Sequence, residues 1–355
     1  MGADVVTDVR FADETQELTA TVPEDNARTR ARDALVVKLG EEVQSTSQTP
    51  ANTETEPEPA VTEHEESVPL GDGRISTSQK QGFVFSCQQN FRAGGALPDG
   101  PWIRDGNWYP NEKVAVGGQV RWTNDVLIQA KEGMRLITAN GLPNHTTGVF
   151  PISVTDIAYR YDRNPNSIKV QDILLLLPLS PTIASLPSCV PMGMIGVGLN
   201  GVAIYNALDD AGKDAVAHEV QDNCDAHPQS AGTYHYHGPS DCMPHANELN
   251  ALIGYALDGF GIFSGLDSSG KEYTNADLDE CHGLTSEIMW DGKILNMYHY
   301  VLTREYPYTL GCFKGIPVEV SSVNELPHPP PSGPDGLDVP PPPGNGANGQ
   351  PSPNL

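Results

Sequence analysis

The sequence is short of basic residues, of aromatic residues and of long apolar segments. Lysine and arginine number 21 against 46 for aspartate and glutamate, which gives the 355-residue chain a net charge of −25. This balance argues against nucleic acid as a partner, because proteins bind phosphate backbones with clusters of Lys and Arg. No stretch reaches the roughly 18 apolar residues of a membrane-spanning helix, so we expect no transmembrane segment. Gly-x-Ser-x-Gly and P-loop motifs are also absent, which leaves little indication of nucleophilic catalysis.

The first residues do not show the basic segment followed by an apolar segment that is typical of a secretory signal peptide. The cysteines nevertheless indicate export. An even number of cysteines in a glycine-rich chain is typical of a disulfide framework formed in an oxidising compartment. A non-standard export route, or a leader missing from this sequence, would reconcile the two observations. We therefore expect an extracellular or otherwise exported protein. The six cysteines stand at positions 87, 189, 224, 242, 281 and 312.

Composition divides the chain into three parts. Residues 1–81 contain one aromatic residue, Phe11, and are predicted to form an acidic disordered arm that cannot bury enough apolar surface to offset its ordering entropy. Residues 82–320 alternate strand-like segments with turn residues and predict a mainly β domain. Residues 321–355 are dominated by Pro, Gly, Asn and Ser. They predict a disordered proline-rich tail, which a protein partner with an aromatic groove could bind.

The β domain contains an internal repeat. Residues 195–212 and 253–270 are identical at eight of eighteen aligned positions. In both, an Asn-Gly or Asp-Gly pair separates two apolar runs, which is a strong hairpin signal. Each copy continues with an acidic residue before a cysteine, a Tyr-His-Tyr sequence and a second cysteine. We therefore predict a duplicated unit related by a pseudo-two-fold axis, with copies over about 195–242 and 253–312.

The duplication also predicts the disulfide pairing. Six cysteines allow 15 connectivities, but equivalent bonds in the two copies would be Cys224–Cys242 and Cys281–Cys312. Cys87–Cys189 then remains to attach the preceding strands. The predicted fold is a disulfide-bonded sandwich or barrel-like domain, and the sequence does not distinguish between these two.

Histidines supply the main chemical signal. Residues 233–238 read Thr-Tyr-His-Tyr-His-Gly, and in a strand His235 and His237 would share one face. If the two copies bring their Tyr-His-Tyr strands side by side, His299 would join them, with His227 or His145 completing the set. Three or four imidazoles suit a copper or zinc ion. The alternatives are buried hydrogen-bond networks that join the two copies, or a site for an organic ligand.

Motifs occur in a fixed order at residues 140–145, 195–201, 222–229, 234–237, 254–260 and 280–283. From about Cys87 to Phe313 they resemble the motifs of the YHYH domain family. That resemblance implies an exported domain of undetermined biochemistry and makes 82–320 a YHYH-type β domain. Members commonly carry one more histidine near Leu284 and another where Val301 stands, so a site in the second copy would have fewer ligands.

The sequence thus favours a secreted metal-binding domain for copper or zinc. Two alternatives stay open. One is a metal-dependent extracellular enzyme that uses the same histidines, and the other is a structural or adhesion module in which the histidines only form hydrogen bonds. The candidate metal ligands are His235, His237, His299, His227 and His145.

Overall fold

The computed structural model describes residues 67–91 and 99–320. Short strands joined by turns make up most of the regular structure in this part of the chain. Its helical elements are one α-helix, α1 (Ala215–His218), and short 3₁₀ turns at Pro110–Glu112, Ile157–Arg160 and Asn275–Asp277. The strands are β1 (Val68–Pro69), β2 (Ile75–Ser76), β3 (Val84–Phe85), β4 (Ile103–Arg104), β5 (Asn107–Trp108), β6 (Val126–Lys131), β7 (Met134–Ala139), β8 (Ile173–Pro178), β9 (Met194–Gly198), β10 (Ala203–Tyr205), β11 (Ala226–Pro228), β12 (Tyr234–Tyr236), β13 (Leu252–Ala256), β14 (Gly261–Phe263), β15 (Gly283–Trp290) and β16 (Lys293–Val301).

Eight strands form the central sheet, in the order β11-β12-β10-β9-β13-β14-β16-β15. The β9–β10 and β13–β14 hairpins are antiparallel, and each is followed outward by a parallel partner, β12 or β16. An antiparallel strand, β11 or β15, then forms each edge. The order therefore reads the same from both edges when one repeat is exchanged for the other.

The two halves of the sheet meet where β9 pairs with β13. Val197 and Tyr255 oppose each other there, and the repeat alignment equates these same two positions. A two-fold axis through this pair would exchange the flanking pairs as well. A duplicated unit related by such an axis would produce this register. The duplication itself stays a prediction. The flanking pairs are Gly196 with Ala256 and Gly198 with Gly254.

A smaller antiparallel sheet, β6-β7-β8, packs against the middle of the large one. Arg135 of β7 places its guanidinium 4.3 Å from the ring centroid of Tyr255 and 5.1 Å from that of Trp290. Since β11 and β15 are edge strands, the large sheet does not close on itself. The fold is mainly β, as predicted, and its layered arrangement is closer to a sandwich than to a barrel.

The structure contains the three disulfides that the repeat predicted. Cys87–Cys189, Cys224–Cys242 and Cys281–Cys312 use all six cysteines. The second and third lie at equivalent places in the two halves. In the chain-entropy model, loops of these lengths contribute roughly 3–5 kcal/mol each to the free energy of unfolding.

The folded part begins before the boundary that composition suggested. Residues 67–81 had been assigned to the arm, yet Val68 pairs with Trp108 between β1 and β5. The Gly71 amide also donates to Asp214 at 2.8 Å. The rest of the arm, 1–66, and the whole tail, 321–355, lie outside the described residues. Within the described ranges, no helix has the length and apolar character needed to cross a membrane.

The close contact between β9 and β13 predicts that adding one methyl group at Gly254 destabilises the fold. A Cβ atom on Gly254 would lie 2.3 Å from the Val197 carbonyl oxygen and 2.9 Å from Gly198 Cα. We expect Gly254→Ala to lower the free energy of unfolding by about 1–3 kcal/mol, measured by urea denaturation without reductant. Gly117→Ala is the matched control, because its Cβ would meet only Asp156 Oδ2 at 3.5 Å. Equal effects of the two substitutions would contradict the close packing of this strand pair.

Candidate metal centre

Three buried histidines meet at one edge of the large sheet. His227 of β11 opposes His235 of β12 in the antiparallel register, and His237 follows two residues later on the same face. The ring centroids of His235 lie 4.7 Å from those of both His227 and His237. At most 4% of each residue is exposed. One nitrogen from each ring lies within 4.8 Å of the others, so the three imidazoles can converge on one ion with small side-chain adjustments.

Backbone carbonyls fix the orientation of two of these rings. His235 Nδ1 lies 3.0 Å from the Thr233 carbonyl oxygen, and His237 Nδ1 lies 2.5 Å from that of Asn206. Because a carbonyl only accepts hydrogen bonds, each Nδ1 carries a hydrogen, and each ring directs its Nε2 into the cluster. The two Nε2 atoms face each other at 2.9 Å. Two nitrogens at this separation, each about 2.05 Å from one ion, would subtend an angle of about 90° there.

Glu219 is the charged partner of the cluster. Its Oε2 lies 3.3 Å from His227 Nε2 and 3.3 Å from His237 Nε2. Among the described residues, Glu219 Oε2 and His227 Nε2 are buried side-chain atoms without a hydrogen-bond partner. Glu219 directly follows α1, and the chain from there to β11 folds so that the carboxylate faces His227. Sequence reasoning missed Glu219, because no spacing motif links a residue at the end of a short helix to this strand.

Mutual contact sets the charges in the cluster. Burial alone would raise the pKa of Glu219, but the neighbouring His227 and His237, each 3.3 Å away, hold it well below its usual value. Burial alone would lower the pKa of His227, but Glu219 and Asp162 raise it instead. Burial, followed by the charges of His227 and His237, keeps the pKa of His235 well below its usual value. At neutral pH Glu219 is therefore ionised and His235 is neutral, and these are the forms that bind a metal ion.

The histidines form one wall of a cleft of about 530 Å³, which we call the metal cleft. Tyr205 of β10 borders it and stacks on His235, with ring centroids 3.9 Å apart and planes inclined by 22°. The same ring meets His237 edge-on at 6.0 Å. Asp209 also lines the cleft, and burial raises the pKa of its carboxyl to about 6. The buried histidines therefore form part of the wall of this cleft.

His299 does not join the cluster, and the expectation that the two Tyr-His-Tyr strands lie side by side is wrong. Four strands, β10, β9, β13 and β14, separate β12 from β16, which corresponds to about 24 Å at the usual strand spacing. The β9–β13 contact places these strands at opposite ends of the sheet. In the second half His299 opposes Leu284, where His235 opposes His227, and Val301 occupies the position of His237.

His145 lies on the opposite side of β12, with the tyrosines. Its Nε2 is 2.6 Å from Tyr236 Oη, and alternation along the strand directs Tyr236 away from the face that carries His235. His145 also approaches Cys224 and Cys242, but a disulfide joins these two sulfurs and removes the thiolates that a metal would need. His145 is therefore part of a hydrogen-bond network and not of the histidine cluster.

Comparison with known proteins agrees with the motifs. Residues 175–274 match the model of the family described as YHYH protein, which confirms the resemblance. The matched segment includes Glu219 and the three clustered histidines and ends before His299. No curated protein and no solved structure matches the chain.

The buried position of His299 predicts an acid sensitivity. Burial lowers its pKa to about 4, whereas in the unfolded chain its pKa is about 6.5. Its contribution to stability is therefore present above pH 6.5 and is lost as the pH falls toward 4. We expect His299→Phe to reduce the loss of unfolding free energy between pH 7.5 and pH 4.5 by about 2 kcal/mol, measured by urea denaturation.

His245→Ala is the control for this prediction, because His245 is half exposed and pairs with Glu248 at the surface. An identical pH dependence in wild type and His299→Phe would contradict the assignment.

Proposed function

We propose that the YHYH domain of this chain binds one transition-metal ion, zinc or copper, through His227, His235 and His237, with Glu219 as a fourth ligand. The facing Nε2 atoms of His235 and His237 carry this proposal. They lie 2.9 Å apart, which is a hydrogen-bond distance, so one of them carries a hydrogen when no metal is bound, and a metal ion could take the place of that hydrogen. Three imidazoles and one carboxylate match the donors that zinc and copper prefer, whereas calcium and magnesium prefer oxygen alone.

Charge balance supports the same assignment. A buried carboxylate is costly unless a positive group pairs with it. Without a metal ion, Glu219 obtains that partner from the protonation of His227. A divalent ion between the two groups would replace this proton and satisfy Glu219 Oε2 and His227 Nε2 together. Metal binding would therefore displace a proton and stabilise the edge of the sheet.

The disulfides support an exported location for this metal-binding domain. All six cysteines are paired, which is typical of proteins that fold in an oxidising compartment. In such a protein the cysteines do not compete for the ion, so imidazole and carboxylate remain as the ligands. We propose that the domain acts outside the reducing cytoplasm.

Metal binding should depend on the clustered histidines and on Glu219. We expect the double substitution His235→Ala, His237→Ala to weaken zinc or copper binding by at least about 100-fold, and Glu219→Gln by about tenfold. Isothermal titration of the purified chain measures both changes. The controls His245→Ala and His299→Phe should bind the metal as tightly as wild type, because neither side chain lies in the cluster.

Elemental analysis of protein purified from its native host gives an independent check. The expected result is one equivalent of zinc or copper in wild type and none in the double variant. Equal metal content in the two would contradict the proposal and favour a structural or adhesion module, in which the histidines only form hydrogen bonds.

The metal cleft favours a second candidate function, a metal-dependent enzyme that uses the same ligands. Catalytic zinc sites keep one coordination position open to a water molecule or substrate, whereas structural sites are closed. The clustered histidines line a cleft of about 530 Å³, so the ion would be accessible from solvent. Glu219 would then be either a fourth ligand or an acceptor for a proton from bound water.

Cobalt substitution distinguishes the accessible site from the closed one. We expect the visible absorption bands of the Co(II)-loaded protein to shift when azide is added, because azide enters the open coordination position from the cleft. His245→Ala should show the same shift. A spectrum that azide leaves unchanged, in a protein that binds cobalt, would contradict the enzyme candidate and leave a closed binding site.

A further inference from the structure

The metal cleft adjoins a second and larger cavity. This cavity, which we call the apolar pocket, has a volume of about 810 Å³. Tyr205 and Met192 line both the pocket and the metal cleft, so these two side chains lie where the two cavities meet. Both volumes lie in the range of small-molecule sites. The two cavities therefore adjoin at these two side chains, with the histidine cluster on the side of the metal cleft.

The two cavities differ in character. The apolar pocket is lined mainly by apolar side chains and by the Cys87–Cys189 disulfide. Its volume can hold an apolar group larger than a methyl. Burying such a group there is favourable by about 25 cal/mol for each Å² removed from water. The principal apolar residues are Ile173, Met192, Met194, Leu257, Phe313 and Val318.

Carboxylates dominate the charged groups along both cavities. Apart from the clustered histidines, Arg163 is the one basic residue among the side chains that line the metal cleft, and the lining of the apolar pocket contains none. A divalent ion bound beside Glu219 would leave a local charge of about +1, which the other carboxylates still exceed. The cavity would therefore attract cations and repel anions. The other acidic residues are Asp162, Asp209 and Asp210 in the cleft, and Asp172 and Glu319 in the pocket.

Tyr205 lies between the two cavities. It stacks on His235 and pairs in register with Met194 of β9, so it contacts the cluster and borders the pocket. Its counterpart in the second half is Phe263, which is 1% exposed and packs edge-on against His299 at 4.8 Å. The partly exposed tyrosine thus occurs in the half that has the three histidines.

We propose that the metal cleft and the apolar pocket form one site for an organic amine with an apolar body. This inference rests on the proposed metal site, because the amine nitrogen would bind the ion after the ammonium group releases a proton to solvent. The carboxylates of the cleft attract the ammonium form, and the apolar body extends past Tyr205 toward Met194 and Val318.

The test uses the full chain loaded with zinc and titrated with 2-phenylethylamine. Methylamine, which lacks the body, and 3-phenylpropionate, which has a negative charge, are the matched probes. We expect 2-phenylethylamine to bind at least about tenfold more tightly than either. Met194→Arg and Val318→Arg alter half-buried residues of the pocket, and each should weaken amine binding by at least about tenfold. Zinc affinity should stay within about twofold of wild type in both variants, because neither residue contacts the cluster.

The outcomes separate this inference from the proposed function. Zinc binding without amine binding, tighter binding of 3-phenylpropionate, or unchanged amine affinity in both variants would overturn the amine site and leave the metal site intact. Failure of the wild-type chain to bind zinc or copper would overturn the proposed function, and that result comes from the first titration, before any amine is added.

Discussion

The close approach of β9 and β13 determines how the rest of the domain is arranged. Gly198 and Gly254 face each other across this pair, where a side chain on Gly254 would collide with the Val197 carbonyl. With the two hairpins joined at this line, each half can extend only outward. The strands that carry the Tyr-His-Tyr sequences therefore lie near opposite edges of the sheet. The three clustered histidines lie at one edge, and His299 lies near the other.

Strand β12 combines two tasks because its side chains alternate. Tyr234 and Tyr236 face the hydrogen-bond network, where Tyr234 Oη donates to Asp222 at 2.9 Å and Asn200 donates to Tyr236 Oη at 3.2 Å. His235 and His237 face Glu219. The tyrosines anchor the strand from behind, so the histidines are held by a rigid element. The sequence therefore supported two interpretations of the histidines, because His145 lies in the hydrogen-bond network and His227 lies in the histidine cluster.

Local signals in the sequence predicted much of the fold. Asn-Gly and Asp-Gly turns marked the hairpins, and the repeat selected three disulfides from 15 connectivities. The prediction that His299 joins the cluster was wrong for a physical reason. A repeat shows which strands are equivalent, but it does not show which strands pair across the copies. Glu219 was missed because its contact with His227 depends on a loop conformation. His227 and the His235–His237 pair were found, since alternation and the hairpin pattern are short-range properties.

The substitutions at Leu284 and Val301 have a consequence for stoichiometry. The strand order of the sheet is symmetric, but within the described residues the second half has His299 alone at the positions where the first half has three imidazoles. A protein with three histidines in each half could bind two ions at opposite edges of the sheet. The strands between them could then couple the two binding events. If the proposed site binds a metal ion, the described part of this chain offers one such site, so the binding isotherm would follow a single class of site with no cooperativity, and bridging two ions would need a second molecule.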